Sequence, residues 1–232
     1  MNGTSVCTGV SPACGAQVLA AAHPVLIVFD LDGTLADSRE LARISFKRVF
    51  ALMGCGEITN EQADSFNGPD ADEICRVMGI GPDRRGMYDR LVDETDVELV
   101  RSIGRMFPGT EDMLMALAPW ARLSILTNGT ERYCEACMDA FGIAPYISLH
   151  SGFVSGVSKA QRMSMWAEQT GARRVICVGD RVTDILQARK AGAYAIGVTY
   201  GMGTTRELSG ADCLCASPAE VAEACLRVIR EA

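Results

Sequence analysis

The sequence predicts an α/β protein: a parallel sheet covered by helices on both faces, with a helical insertion directly after the first strand. Three observations carry this reading. Apolar runs of four or five residues recur at 25–29, 123–127, 175–178 and 195–198. Helical patterns separate the later runs, and between Ser38 and about Phe107 helix-like segments follow one another with no convincing strand. Runs that short suit strands buried on both faces, and their alternation with helices belongs to a doubly wound sheet.

The elements follow in order. The first strand, VLIVF at 25–29, runs into two aspartates and a turn. Three helical segments come next, at 39–53, 71–78 and 83–101. Their joints to the rest of the chain are Asp37-Ser38, read as a helix N-cap, and Pro108-Gly109, a turn that restarts the sheet. Helical patterns at 111–117, 131–141, 160–169 and 183–191 then carry apolar residues at mixed three- and four-residue spacing. The expected layout is a core at 23–37 and 108–232, an inserted helical unit at 38–107, and a flexible leader at 1–22. That leader has no Lys or Arg, so the charged start of a secretory signal is missing, and no run of ~20 apolar residues provides a membrane span. A cytoplasmic location is expected.

The 232 residues are 48% hydrophobic and 22% charged, which suffices for one large core and a small second one. A formal net charge of -7 with no Lys/Arg block disfavours a nucleic-acid partner, which would need a basic stripe. Ten cysteines could be a disulfide set, but Cys55, Cys75, Cys177 and Cys225 fall in apolar or helical segments of a chain too large to need staples. Reduced thiols are expected. Cys134 and Cys137 (CEAC) have no second pair to complete a zinc site, and the only histidines are His23 and His150.

The stretch VLIVFDLDGTLADS poses the functional question, because two carboxylates at the mouth of an apolar strand repel each other and resist desolvation. A cation or a shared proton makes them tolerable. An aspartate at a strand end can attack phosphorus, while a second one two residues later protonates the leaving oxygen and then deprotonates water. Asp30 and Asp32 have that spacing and share one strand face, and Gly33-Thr34 lets the chain curl. Such a site also needs a phosphate holder and further carboxylates for a hard cation. Thr127-Asn128-Gly129 supplies a hydroxyl and backbone N–H groups at a strand end, Lys159 a charge at a helix start, and Asp180 and Asp184 carboxylates after another strand.

The residues DLDGT, LTNG, the isolated Lys159 and GDRVTD resemble, in order and spacing, the four motifs of the haloacid dehalogenase-like hydrolase superfamily, over residues 25–230. The resemblance implies a Rossmann-like parallel-sheet core with a helical cap inserted after the first strand. By it, Asp30 is the nucleophile, Asp32 the acid/base, and Thr127, Asn128 and Lys159 the phosphate holders. Asp180 is then a magnesium ligand beside the Asp30 carboxylate and the Asp32 carbonyl, with Asp184 supporting the metal. Asp32 points to phosphate esters, since dehalogenases of the superfamily lack a carboxylate there. Sugar-phosphate mutases commonly have Val and a His where this chain has Thr34 and Ala42. Hydrolysis is therefore favoured over the mutase alternative, and an idle binding or regulatory protein is the other rival.

The insertion resembles the small cap of the phosphoglycolate phosphatase group, and IGVTYGMGT at 196–204 is similar to a stretch of that group's core. The expected substrate is a small phosphorylated metabolite, phosphoglycolate-like or a sugar phosphate. Within the insertion, Phe66-Asn67-Gly68-Pro69 is the turn expected to face it, with an ordinary interhelical loop as the alternative, whereas Arg43, Lys47 and Arg48 read as a solvated basic face. Family members often have Pro after the motif lysine; this chain has Ala160. The sequence leaves monomer and dimer open.

Overall fold

A computed structural model describes residues 23–69 and 71–231; the expected leader at 1–22 lies outside them. The strands are β1 (Val25–Phe29), β2 (Arg122–Leu126), β3 (Ile147–Ser151), β4 (Arg174–Gly179), β5 (Tyr194–Val198) and β6 (Cys213–Cys215). They form one parallel sheet in the order β3-β2-β1-β4-β5-β6. All five residues of β1 are buried, as a central strand requires. Val25, Ile27 and Phe29 enter one core cluster and Leu26 and Val28 a second on the opposite face, the period-two alternation of a pleated strand. The chain winds to β2 and β3 on one side of β1 and to β4, β5 and β6 on the other. Ligands of such sheets bind beyond the carboxyl ends of the strands at this reversal.

Between β1 and β2 lie α1 (Arg39–Leu52), α2 (Asn60–Ser65), α3 (Ala71–Val77), α4 (Pro82–Ile103) and α5 (Thr110–Leu117). The first four share their own apolar cluster, in which the rings of Phe46, Phe50, Phe66 and Tyr88 pack at centroid distances of 5.5 to 6.2 Å. The later helices, α6 (Glu131–Phe141), α7 (Lys159–Thr170), α8 (Val182–Lys190) and α9 (Pro218–Arg230), cover the sheet. Their starts are written locally: Thr130, Ser158 and Ser217 each accept a backbone N–H at the N-cap of α6, α7 and α9.

Asp37 and Ser38 depart from the capping role that the sequence predicts. Ser38 stands at the N-cap of α1, yet its buried hydroxyl makes no cap bond. Asp37 instead receives Arg105 Nε at 2.8 Å. This pair ties the outgoing and returning connections of the insertion, which also bond through backbone: Asp37 N to Arg105 O at 3.0 Å, and Phe107 N to Leu35 O at 3.1 Å. With φ -100° and ψ 4°, the Ser38 backbone leaves the extended N-cap conformation that Thr130, Ser158 and Ser217 adopt, so its hydroxyl is not aimed at the helix.

Two strands went unread in the sequence. β3 (ISLHS) is half-buried throughout and mixes polar with apolar residues, and β6 has three residues at the sheet edge. β3 lacks a continuous apolar run, and β6 (CLC) is too short to stand out as one. The described cysteines are free thiols, with Cys134 and Cys137 inside the larger core cluster. No described helix is long and apolar enough to cross a membrane.

Candidate active site

The site begins where β1 ends. Asp30 N donates to Val178 O at 2.8 Å, carrying the β1–β4 pairing one residue past the strand. The carbonyl of Leu31 then accepts from Leu35 and Ala36, both at 2.9 Å, and folds the chain back on itself. Gly33 permits this turn with a φ of +78°; a Cβ there would overlap Asp180 Oδ2 as well as strain the backbone. Asp30 and Asp32 are thereby held at the floor of one cavity of about 610 Å³.

Lys159, in the first turn of α7, answers Asp30. Its Nζ lies 2.6 Å from Asp30 Oδ1 and 2.8 Å from Asp184 Oδ1, with each of these side chains nearly out of solvent. Burial by itself would lower the Lys159 pKa, but Asp184 and Asp30 outweigh it and hold the ammonium charged. Burial raises Asp30 well above the usual carboxylate range, against the pull of Lys159 and with the push of Asp184 and Asp180. Asp32 is raised by burial too, and Ser38, Tyr133 and Thr127 restrain it. Tyr133 donates its hydroxyl to Asp32 Oδ1 at 2.7 Å.

Asp180 follows β4 and receives Met202 N at 2.6 Å on Oδ2. Gly201 and Gly203 let that backbone press against Asp180, since a Cβ at either would collide with it. Burial pushes Asp180 up to about 6, with the neighbouring Asp184 adding to the rise. Asp184 Oδ2 accepts Arg181 N at 3.2 Å, which fixes it at the start of α8. Carboxylate oxygens of Asp30, Asp180 and Asp184 lie within 4.8 Å of one another, and Asp180 Oδ1 is buried with no hydrogen-bond partner. Hard oxygen donors gathered around an unanswered buried oxygen fit a cation such as Mg²⁺.

The phosphate-holding candidates reach the same cavity. Thr127 is buried just beyond β2, and its Oγ1 accepts Gly129 N at 2.9 Å; Asn128 is exposed at the rim. From the insertion, Asn67 and Gly68 line the opposite wall, and the Asn67 carbonyl accepts Arg181 Nη1. Three of the four basic residues of α1 turn elsewhere. Arg43 pairs with Asp64 through two bonds of 2.7 Å, Lys47 donates to Asn60 at 2.6 Å, and Arg48 meets Glu98 at 2.9 Å.

Several site residues carried no recognised sequence signal. Tyr133 sits inside α6, Arg181 beside a motif aspartate, and Ser45 and Asp96 on α1 and α4, all lining the cavity. The 196–204 stretch was noticed only as a likeness; its structural part is to bring Met202 N onto Asp180.

Residues 27–198 match the profile of the haloacid dehalogenase-like hydrolases. The chain belongs to that family. Among curated relatives, this hydrolase is 27% identical over 202 residues to the phosphoglycolate phosphatase of Vibrio cholerae, covering 81% of this chain and 89% of that one. Among solved structures, a haloacid dehalogenase-like family protein of Streptococcus pneumoniae superposes with a TM-score of 0.75 at 23% identity, over 84% of this hydrolase and 95% of that chain. CbbY of Rhodobacter sphaeroides, solved with xylulose-(1,5)bisphosphate, gives 0.74 at 22% identity over 84% and 95%. The six-stranded parallel core is the fold these proteins share, and the curated likeness makes this hydrolase a phosphoric monoester hydrolase of the phosphoglycolate phosphatase-like group.

Proposed function

We propose that this protein is a magnesium-dependent phosphatase that hydrolyses a small phosphorylated metabolite through an aspartyl-phosphate on Asp30. The observation that carries the proposal is the assembly of Asp30, Lys159, Asp180 and Asp184 at the strand ends, with Asp32 two residues beyond Asp30 on the same cavity floor.

In the first half-reaction an oxygen of Asp30 attacks phosphorus and the bond to the leaving oxygen breaks. Asp32 hands its proton to that oxygen, so the alcohol departs neutral. Burial favours the protonated form of Asp32, as a general acid requires. In the second half-reaction Asp32 takes a proton from water, the water oxygen bonds to phosphorus, and the phosphorus–Asp30 bond breaks to release phosphate. Tyr133 orients the Asp32 carboxyl through both steps. Thr127, Asn128 and Lys159 hold the phosphoryl oxygens, Lys159 as a charge already fixed by Asp30 and Asp184. A bound magnesium ion would offset the negative charge of the phosphoryl group, held by Asp30, Asp180 and the Asp32 carbonyl with Asp184 in support.

Residues 38–107 act in this reading as a cap that covers the leaving group and excludes bulk water. Its contacts with the core support that role: Arg181 to the Asn67 carbonyl, Asp93 to Thr130, and Asp93 to Arg132 at 2.7 Å. A mutase would need to return phosphate to a second position of the sugar. Ala42 lines the cavity where the mutase likeness would place a His and offers no acid or base. The intact set of chemical residues weighs against an idle binding protein. The relatives' names put forward phosphoglycolate and sugar phosphates as substrate classes, and a cytoplasmic location suits both.

The test is phosphate release from a panel of such esters, with and without magnesium, using Asp30→Ala as control. Magnesium-dependent release that the variant loses is the expected result. Isomerisation of a sugar phosphate without phosphate release would contradict it.

A further inference from the structure

Arg162 lies on α7 three residues beyond Lys159, a spacing that puts both on one face of the helix, and it is 6% exposed. Among the described residues it forms no ion pair within 4.0 Å. Burial draws its pKa below the ordinary arginine value, against the charge of Glu131. Its Nε is buried without a hydrogen-bond partner. A buried cation so poorly answered costs stability, so its presence calls for another reason.

The one nitrogen that is well engaged points to the segment after β3. Nη1 donates to Ser151 Oγ at 3.0 Å, to Gly152 O, and at 3.5 Å to Ser151 O. That segment braces the 127–129 loop at both ends: Ser151 O accepts Thr127 N at 3.1 Å, and Phe153 N donates to Gly129 O at 2.7 Å. Between these bonds Gly152 N donates to Glu131 Oε2 at 2.5 Å, and a Cβ on Gly152 would run into the backbone of Thr130 and Glu131. Residues 151–153 are thus a rail pressed along the loop that presents Thr127 and Asn128. Arg162 fastens that rail to the helix that presents Lys159. The oxygens it grips do not need it: Ser151 O keeps Thr127 N, and Gly152 O keeps the Ser151 hydroxyl at 3.0 Å.

We infer that Arg162 is a positioning residue for the phosphoryl group. Through Ser151 and Gly152 it fixes the separation between the hydroxyl and N–H groups of 127–129 and the ammonium of Lys159, and it does not line the cavity itself. A group held from two sides tolerates little error in that separation, since a misplacement of about 1 Å can cost about 10²-fold in rate. This rests on the phosphatase reading and deepens it.

Arg162→Met keeps the length of the side chain and removes the grip and the buried charge together. Calorimetry of inorganic phosphate binding at saturating magnesium reads the site without turnover, and thermal unfolding reads the fold. The expected variant unfolds at or above the parent's midpoint, binds phosphate about tenfold more weakly, and loses about 10–100-fold in kcat/KM for an accepted ester. Arg162→Lys keeps a donor for the same oxygens and is expected to fall between the two. A phosphate Kd within about twofold of the parent's overturns the inference. So does a weaker affinity that comes with a lower unfolding midpoint, or a methionine variant that fails to fold, since either makes Arg162 a structural residue. A parent that binds phosphate but releases none from any ester overturns the phosphatase reading alone. A parent that binds no phosphate overturns both.

Discussion

On the core side of the cavity, each carboxyl near the reacting centre is set by backbone that the sheet itself fixes: Asp30 and Asp32 by the turn after β1, Asp180 by Met202 N, Asp184 by Arg181 N. On the cap side the wall is a set of side chains from separate helices, held together by an aromatic cluster rather than by backbone bonds. The first wall has almost no freedom to vary without losing its chemistry. The second can exchange one apolar residue for another and change only what it accepts. On the proposed reading, reaction type and substrate choice are carried by different physics in one cavity.

The sharpest way to break this comparison is to remove the nucleophile. Asp30→Ala should lower kcat by about 10⁴-fold or more while leaving a folded protein, because the losses of a covalent catalyst fall on the chemical step. A residual rate within tenfold of the parent would move chemistry off the core wall. Next in size is Phe50→Ala in the cap cluster. Phe50 is fully buried among Phe46, Phe66 and Tyr88, so its truncation should cost about 3–5 kcal/mol, read in thermal or urea unfolding as earlier loss of the helical insertion. If the sheet and insertion melt together, the two walls are less independent than their clusters imply.

Asp184→Ala addresses the boundary between positioning and chemistry. It removes the partner of Lys159 at 2.8 Å and one of three gathered carboxyls. The expected outcome is a roughly 10–100-fold higher magnesium requirement with a smaller change at saturating metal. Magnesium titrations of activity would show it, and an unchanged requirement would remove Asp184 from the metal site.

The smallest effect concerns pH. Asp96 binds its proton more tightly folded, at about 7, than an exposed carboxyl does near 3.9. Between those values the folded protein therefore holds more protons than the unfolded chain, and stability falls as pH rises from about 4 to about 7. Asp96→Asn should flatten that fall in unfolding measurements. A slope unchanged by the substitution would show that Asp96 is not held protonated by its surroundings.

How much of this was legible in the sequence follows the same division. The β1 strand, the Asp30–Asp32 pair and the Thr127, Lys159 and Asp180 positions are read from short local patterns, because strand ends and helix starts leave marks within five or six residues. Tyr133, Ser45 and Asp96 leave none. Each is an ordinary helical residue until α4 packs on α1 and α6, and only that packing turns them toward Asp32 and the cavity. β3 and β6 escaped for a related reason: both lie at the sheet's edges, where β3 mixes polar with apolar residues and β6 is only three residues long. Ser38 shows the converse, a good local capping signal at a residue whose backbone leaves the extended N-cap conformation.

The central claim, a covalent step on Asp30, is tested most directly by acid-quenching the enzyme during turnover of an accepted ester with magnesium and locating the phosphoryl group by peptide mass spectrometry. The account predicts a base-labile phosphoryl group on the peptide that carries Asp30, absent from Asp30→Ala. Rapid turnover with no phosphoryl group on any peptide, and activity retained in the variant, would contradict it.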